Sequence, residues 1–293
     1  MSDDISQGGS SPEHGRDRTG SNYDGYEFTF NLSNSNSSQS SFIEPDPRIE
    51  AFFSDDSMSL TDSVTNFPEL FGRTYHAYRE GSYAFPNDLA ERERLELQNE
   101  TLKMLMGGKL FFAPLNKHHP YTILDIATGT GDWPIAMGDR FQTSRVIATD
   151  LSPIQPEVVP PNVEFYVEDS SESWDYTEKF DYIHTRNTGA CWNSYEEQIA
   201  KQAFEALNPG GWFESQELQV TLSCDDGTLD PNCAMACWFR DLEVAADASL
   251  RPLSWANRLR GIYERVGFVD IHERIFKIPS TAGLETRGSK ISA

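Results

Sequence analysis

The sequence of 293 residues is poor in positive charge, with 24 lysines and arginines against 46 aspartates and glutamates. Its net charge of -22 repels phosphate backbones and anionic lipid, so direct binding to nucleic acid or to a membrane surface is not expected. No apolar run reaches the roughly 18 residues that span a bilayer. The N-terminal stretch MSDDISQGGSSPEHGRDRTG lacks the apolar core of a signal peptide. We therefore expect a location in the cytoplasm or the nucleus.

Cysteine is also scarce, since the chain has only Cys191, Cys224, Cys233 and Cys237. An intracellular protein keeps such thiols reduced. Their spacing is not the C-x2-C of a zinc site, and no histidine lies between Cys191 and His272. No metal site is expected, and the four thiols are predicted to be buried as small apolar groups.

Apolar residues make up 38% of the chain, which indicates that part of it never packs. Residues 1–68 are rich in serine, asparagine and acids and are predicted to be a disordered tail. Its isolated aromatic side chains, among them Phe28, Phe30, Phe52 and Phe53, could dock onto a partner. A tail that contacts nothing is the alternative.

Residues 69–120 are predicted to form a helical and lid segment. An extended, aromatic stretch comes first, and the helix LAERERLELQNETLKML follows it. Asn87 or Asp88 can cap the start of this helix, and Gly107 and Gly108 can end it.

Residues 121–279 alternate between strand and helix patterns. Predicted strands are YTILDIA, RVIATDLS, VEFYVED, FDYIHTRN, WFESQELQV and VDIHERIFKI; predicted helices are DWPIAMGDRF, EEQIAKQAFEAL and LRGIYERVGF, with a turn at NPGG. Short β-branched strands separated by helices are typical of an α/β fold with a doubly wound, Rossmann-like parallel sheet. Residues 224–253 interrupt this rhythm and are predicted to be a helical cover over the sheet's carboxyl edge. Residues 280–293 are predicted to be an irregular tail.

A glycine turn, ATGTGDW, joins the first strand to its helix. In such sheets the ligand lies outside the carboxyl ends of the strands, and Gly129 and Gly131 allow a tight turn there. A phosphate-binding P-loop is excluded because Asp132, not lysine, follows Gly131. A dinucleotide motif is disfavoured because Pro134 replaces its third glycine and Asp132 would repel a diphosphate. An NAD-dependent oxidoreductase is therefore a distant alternative.

Acidic residues follow three successive strands. Asp125 precedes the glycine turn, Asp150 ends the second strand, and Asp169 follows the third, beside Glu168. S-adenosylmethionine carries no phosphate, but it has a sulfonium, an ammonium group and a ribose diol. Asp125 is placed for the amino group, Asp150 for the diol, and Asp169 or Glu168 for the adenine amino group. Hydrogen bonds to charged groups contribute roughly 1.5 to 3 kcal/mol each.

Several phrases of the sequence resemble one family. They are YREGSYAFPND, ERLELQ, LDIATGTGDW, ATDLSPIQPEVVPPNVEFYVEDSSESW, FDYIHTRN and LNPGGWFESQEL, and the resemblance covers about Tyr75 to about Ile278. Together they are similar to class I S-adenosylmethionine-dependent methyltransferases, and more narrowly to the fungal LaeA-like, or TAM-domain, members. Ala127 stands where the usual D-x-G-x-G-x-G motif has its first glycine.

The resemblance implies methyl transfer from S-adenosylmethionine, in or around fungal secondary metabolism. The acceptor would be a small molecule or a protein, and a velvet-type protein is an implied partner. The family sheet also has a seventh strand, which we do not find in this sequence, so a non-catalytic scaffold of the same fold is the alternative. The residues expected to bind the cofactor are Asp125, Ala127, Gly129, Gly131, Asp150, Leu151, Glu168 and Asp169.

Two residues at the end of the fourth strand are catalytic candidates. His184 could be a general base for a hydroxyl or amine acceptor, or a histidine packed at a strand end. Arg186 could clamp an acidic substrate or pair with a nearby acid. Glu214 or Glu217 could face the acceptor.

Four aromatic residues are candidates for a lid or a wall of the site. Tyr75, Tyr83 and Phe85 could fold over the cofactor, and Trp174 could wall the adenine pocket. Ordinary core packing is the alternative for each of them.

Overall fold

The computed structural model describes residues 62–279. The possible docking residues Phe28, Phe30, Phe52 and Phe53, and the tail at 280–293, lie outside the described residues. Helix α1, Asp62–Thr65, falls inside the segment predicted to be disordered. The Tyr75 N–H donates to the Pro68 carbonyl at 3.0 Å, which ties this segment to the chain that follows.

A short hairpin and a long helix precede the sheet. The hairpin pairs β1, Glu69–Leu70, with β2, Arg73–Thr74. Helix α2 spans Leu89–Leu105, and its cap is Asp88, whose carboxylate accepts the Glu91 N–H at 3.0 Å. The Arg73 guanidinium also holds this carboxylate and lowers the pKa of Asp88 to about 2.

Five parallel strands form the central sheet, in the order β5-β4-β3-β6-β7. Helices lie on both faces, so the predicted doubly wound α/β fold is confirmed. The switch point, where successive crossovers change direction, lies between β3 and β6. The strands are β3 Thr122–Ile126, β4 Arg145–Asp150, β5 Val163–Val167, β6 Phe180–Arg186 and β7 Leu207–Gln216. The helices after α2 are α3 Asp132–Arg140, α4 Lys201–Ala206, α5 Ala234–Ala248 and α6 Leu259–Val266.

Alternation along the strands builds one apolar layer on each face of the sheet. On one face Leu124 and Ile183 pack with Tyr195 and with Ile262 of α6. On the other face Ile123 packs against α3, together with side chains such as Trp133, Met137, Val146 and Tyr182. A π-helical turn, Glu196–Ala200, leads into α4, and a 3-10 turn, Ala256–Arg258, leads into α6.

The predicted sixth strand, VDIHERIFKI, is wrong, because the structure has no strand after β7 within the residues that it describes. Val269 and Ile275 are each 82% exposed, so this segment has no buried face to hold it in register with a neighbour. Its contacts are made by side chains instead, as when Phe276 stacks on Phe112 with ring centroids 5.7 Å apart.

The NPGG turn lies inside β7 rather than before it. Phe180 pairs with Leu207, and Tyr182 pairs with Trp212, so the turn is accommodated as a bulge in the strand. The strand then ends at Gln216, before the predicted ELQV portion.

Helix α5 lies within the predicted cover, residues 224–253. None of its 15 residues is fully buried. Among the described residues, every helix is too short or too polar to cross a bilayer.

Gly131 and Gly210 form a matched pair for testing the glycine turn. Both have a left-handed backbone, with φ of +84° and +83°. A Cβ on Gly131 would lie 2.7 Å from the Phe165 ring, whereas a Cβ on Gly210 would have no neighbour within 4 Å.

We expect Gly131→Ala to lower the free energy of unfolding by about 2 to 5 kcal/mol, because left-handed strain adds to overpacking against Phe165. Gly210→Ala should lower the free energy of unfolding by only about 1 to 2 kcal/mol, since it adds left-handed backbone strain but no steric overlap. Urea unfolding of both variants measures the difference. Equal losses would mean that Phe165 does not restrict the turn.

Candidate functional site

The carboxyl ends of β3, β4, β5 and β6 open into one cleft, which α2 and the residues before it close from the other side. Most of the predicted site residues line it, whereas Gly131, Tyr75 and Trp174 do not. Those that line it are Tyr83, Phe85, Asp125, Ala127, Gly129, Asp150, Leu151, Glu168, Asp169, His184 and Arg186.

Asp150 is held by backbone amides. Its carboxylate accepts the Gly129 N–H at 2.8 Å and the Ser152 N–H at 2.9 Å. Burial, with a smaller contribution from the nearby negative charge of Asp125, raises the pKa of Asp150 to about 6. Each carboxylate oxygen has further acceptor capacity, so Asp150 can still accept two hydroxyl hydrogen bonds from a ligand.

Asp125 and His184 form a buried pair at the centre of the cleft floor. They lie side by side on β3 and β6, and the His184 Nδ1 is 2.7 Å from an Asp125 carboxylate oxygen. Thr128 donates its hydroxyl to the other oxygen at 2.6 Å, and Trp133 stacks on the imidazole at 3.7 Å. Because the carboxylate oxygen is the acceptor of this hydrogen bond, the His184 Nδ1–H is its donor. Within the described part of the chain, the buried Nε2 of His184 has no hydrogen-bond partner.

The structure distinguishes the two acids after β5. The Tyr176 hydroxyl donates to Glu168, at 2.7 and 2.9 Å from its two oxygens, and burial raises the pKa of Glu168. Asp169 uses one oxygen, Oδ1, to accept from the backbone and hydroxyl of Ser171. Asp169 is therefore the better placed of the two to accept from a ligand.

Ala127 has φ of +55°, a backbone conformation that favours glycine. This explains why the usual motif has a glycine at this position. Gly129, two residues on, has φ of +61°, and its carbonyl accepts from the Gln155 side chain at 2.7 Å.

Arg186 neither pairs with an acid nor points away from the cleft. Its guanidinium donates to the side-chain oxygens of Gln216 at 2.8 Å and Asn99 at 2.7 Å, and to the Leu110 carbonyl at 3.3 Å. Burial lowers the pKa of Arg186. In residues 62–279 no carboxylate forms a salt bridge with it, so the predicted acid pairing is wrong.

The aromatic candidates divide into two groups. Tyr83 and Phe85 line the cleft with their rings 5.4 Å apart. Tyr75 lies outside the cleft, where its N–H bonds to Pro68. Trp174 packs against the core beneath the sheet and donates its Nε1–H to the Ser170 carbonyl. Of the two alternatives predicted for Trp174, the structure therefore favours core packing over a cleft wall.

Neither candidate glutamate reaches the cleft. Glu214 accepts the backbone N–H groups of Phe112 and Ala113, at 2.8 and 2.9 Å from its Oε2. Glu217 accepts from the backbone and hydroxyl of Thr188, both at 2.8 Å. Both carboxylates brace backbone segments around the site.

The prediction of four buried thiols holds only in part. Cys191 lines the cleft, where burial raises the pKa of its thiol, but Cys224 is exposed. Cys233 and Cys237 are half-buried. The segment around Cys224 has no buried face that would hold its thiol in the core.

Sequence reasoning missed several lining residues. Glu91, Leu95 and Gln98 line the cleft from α2, and their spacing of four and three residues places them on one helix face. This helical spacing is visible in the sequence and could have identified the helix face that lines the cleft. His76, Asn87, Asn99, Trp133 and Arg251 also line the cleft, without a comparable pattern.

A family model described as a methyltransferase domain, Methyltransf_23, matches residues 75–273. Methyltransferase pytC of Aspergillus terreus is 38% identical over 222 residues, which cover 75% of this chain and 68% of the relative. Secondary metabolism regulator LAE1 of Cochliobolus heterostrophus is 35% identical over 213 residues, which cover 71% and 69%.

A solved structure, phosphoethanolamine N-methyltransferase 2 of Haemonchus contortus with S-adenosylhomocysteine, is 21% identical with a TM-score of 0.42. That comparison covers 59% of this chain and 37% of the solved chain. The family match and the fungal relatives confirm the resemblance to LaeA-like proteins. The chain therefore belongs to the Methyltransf_23 family of S-adenosylmethionine-dependent methyltransferases.

Proposed function

We propose that the cleft holds S-adenosylmethionine along the strand ends and that the chain methylates an acceptor of fungal secondary metabolism. The observation that carries the proposal is the convergence of Asp125, Asp150 and Asp169 in one cleft, from three adjacent strands. A ligand with a positive charge and a ribose diol suits these acids, and a diphosphate does not.

The donor and acceptor set fits this cofactor. Asp150 would accept the ribose hydroxyls, and Asp169, with one oxygen uncommitted to Ser171, would accept from the adenine amino group. The buried Nε2 of His184 is a polar atom that needs a partner, and an ammonium N–H would supply one. The amino group would thus contact His184, with Asp125 behind it, rather than Asp125 directly.

When bound, S-adenosylmethionine supplies an electrophilic methyl carbon on a sulfonium. The chain's residues would supply alignment and a dry site. Tyr83 and Phe85 would exclude water from above, and the Asp125–His184 pair would hold the amino-acid end from below. Because His184 is fully buried and stacked on Trp133, we assign it to binding rather than to proton removal from the acceptor.

The acceptor and the partner are open to direct tests. A small molecule is favoured by the relative that is named a methyltransferase, and a protein-dependent role by the relatives that are named regulators. A velvet-type partner, and a location in the cytoplasm or the nucleus, stay predictions. Methyl transfer by the isolated protein to extracted fungal metabolites would favour the first role. Cofactor binding with transfer only when a protein partner is added would favour the second.

The scaffold and oxidoreductase alternatives make different predictions. A scaffold would bind S-adenosylmethionine weakly or not at all. An oxidoreductase would bind NADH, but Asp132 lies at the start of α3, where a diphosphate would have to sit. NADH fluorescence that does not change on adding protein would argue against the oxidoreductase.

We expect Asp150→Asn to raise the Kd for S-adenosylmethionine by about tenfold to a hundredfold, because the diol loses its charged acceptor. Asp139→Asn is the matched control, since it removes the same charge from an exposed residue of α3. Isothermal titration calorimetry measures both variants. An unchanged Kd in Asp150→Asn would place the ribose elsewhere.

The pH dependence of binding follows from the raised pKa of Asp150, about 6. In the ligand-free protein this raised pKa contributes stability at low pH, and that contribution is lost as the pH rises through about 6. Cofactor affinity depends on pH in the opposite direction. It increases as the pH rises, because the ribose diol needs the ionised carboxylate of Asp150.

We therefore expect the Kd for S-adenosylmethionine to rise about tenfold as the pH falls from about 7.5 to about 5. The same titration in Asp150→Asn should show a much smaller rise, since the other titrating groups are unchanged. A pH dependence that is identical in the two proteins would contradict the role of Asp150.

A further inference from the structure

A second cavity lies behind one wall of the cleft, where the hairpin and the start of α2 meet the loop 151–155 that follows β4. Its volume is about 350 Å³, within the range of roughly 300 to 1,000 Å³ that is typical of ligand pockets. Asn87 and Ile154 line both the cavity and the cleft, so these two residues separate the two spaces. None of the residues that we assign to the cofactor lines the cavity.

Arg92 brings an unpaired cation to this cavity. It lies at the start of α2, and its buried Nε–H has no hydrogen-bond acceptor within the described residues. The carboxylate of Asp88, one turn earlier, is already held by the Arg73 guanidinium and by the Glu91 N–H. A buried N–H without an acceptor is costly, and a ligand that brings an acceptor removes that cost.

Arg94, two residues further along α2, shows the contrast. Its guanidinium donates to both oxygens of the buried Glu91 carboxylate, at 2.7 to 3.0 Å. Arg92 instead shares a side of the helix with Asp88 and Leu89, which precede it by four and three residues. The unpaired charge therefore belongs to the side of α2 that faces the cavity.

Four apolar side chains line the cavity beside Arg92, those of Phe67, Leu89, Pro153 and Ile154. Leu89 is 68% exposed, so its side chain is free to contact a ligand. Burying such apolar surface is favourable. An occupant that satisfies both features of the cavity has an apolar body and one acidic group.

Charge selects a carboxylate over a phosphate. Asp88 also lines the cavity, and it stays an anion although Arg73 holds it. A phosphate would place up to about two negative charges near Asp88. A carboxylate brings one charge, and its two oxygens match two N–H groups of the planar guanidinium of Arg92.

The wall between the cavity and the cleft supports the cofactor site. Asn87 donates its side-chain amide to the Ser152 hydroxyl at 3.3 Å, and the Ser152 N–H donates to Asp150. Gln155, which lines the cavity, donates to the Gly129 carbonyl at 2.7 Å. A ligand that fills the cavity packs against this loop and orders it. The cofactor then loses less conformational freedom on binding.

We propose that this cavity binds a small apolar carboxylic acid, with its carboxylate on Arg92, and that the acid tightens the binding of S-adenosylmethionine in the cleft. The effect on the cofactor rests on the proposed function, whereas the binding of the acid does not. By linkage, the cofactor tightens the binding of the acid by the same factor. The cavity is thus a regulatory site through which a carboxylic acid controls methyl transfer.

The first experiment measures the binding of phenylacetate and hexanoate to the full chain without cofactor, by ligand-observed NMR titration. Phenylacetamide and hexanamide are their uncharged counterparts. We expect at least one acid to bind about tenfold more tightly than its amide, because only the acid makes charged hydrogen bonds with Arg92. Arg92→Gln should reduce that preference to about twofold or less. An unchanged protein that binds neither acid, or binds acid and amide equally, would overturn the site.

Lys103→Gln is the matched control. It removes the same charge from the far end of α2, where Lys103 pairs with Glu100 at 2.8 Å, and it should leave the preference for the acid unchanged. Leu89→Ser should weaken acid and amide alike, by about threefold, because it removes only apolar contact. A loss of preference in Lys103→Gln equal to that in Arg92→Gln would mean that overall charge, not Arg92, attracts the acid.

A conservative variant keeps the test decisive if Arg92→Gln does not melt cooperatively. Arg92→Lys keeps the charge but loses the planar fork, and should retain only part of the preference for the acid. A preference that is unchanged in either variant of Arg92 would overturn the inference.

The second experiment titrates S-adenosylmethionine with and without a saturating concentration of the tighter-binding acid. We expect the acid to lower the Kd for the cofactor about fivefold in the unchanged protein and to have no effect in Arg92→Gln. A Kd that the acid does not change would overturn the regulatory role of the site. Absence of cofactor binding in a protein that still binds the acid would overturn the proposed function and leave the acid site standing.

Discussion

The cleft depends on one buried interaction, the pairing of Asp125 with His184 across the two central strands. A carboxylate buried at 3% exposure is costly unless it is fully hydrogen-bonded, and His184 and Thr128 together satisfy it. The pair joins β3 to β6 at the switch point, and Thr128 extends it into the glycine turn. Trp133 of α3 stacks on the imidazole, so the helix also contacts the pair. Direct contacts therefore join the floor of the site to the start of the turn.

Acidic and basic side chains lie at the ends of different strands, and the polar groups of the proposed cofactor match this arrangement. The acids stand on β3, β4 and after β5, whereas Arg186 stands at the end of β6. A ligand with a ribose diol at one end and a zwitterionic amino acid at the other suits this order. Glu214, which never touches the cleft, supports the arrangement by fixing the loop whose Leu110 carbonyl orients Arg186.

Local sequence signals predicted the sheet, a helix cap at Asn87 or Asp88, the glycine turn and the acids at the strand ends, because each depends on a few neighbouring residues. Most partners of Arg186 and Glu214 could not be predicted, because they are distant along the chain. Leu110 and Asn99 lie 76 and 87 positions from Arg186, and Phe112 and Ala113 lie 102 and 101 positions from Glu214. The sixth strand was wrong for a related reason. Its β-branched pattern is local, but a strand exists only where a distant neighbour pairs with it.

The most direct test is a crystal structure of the chain with S-adenosylhomocysteine bound. We expect the ribose hydroxyls to lie within hydrogen-bond distance of the Asp150 carboxylate, with the adenine towards Asp169. The amino-acid end should lie against the His184 imidazole. A ligand bound outside the cleft, or in the reverse direction with its adenine over β6, would contradict the assignment of these acids to the cofactor.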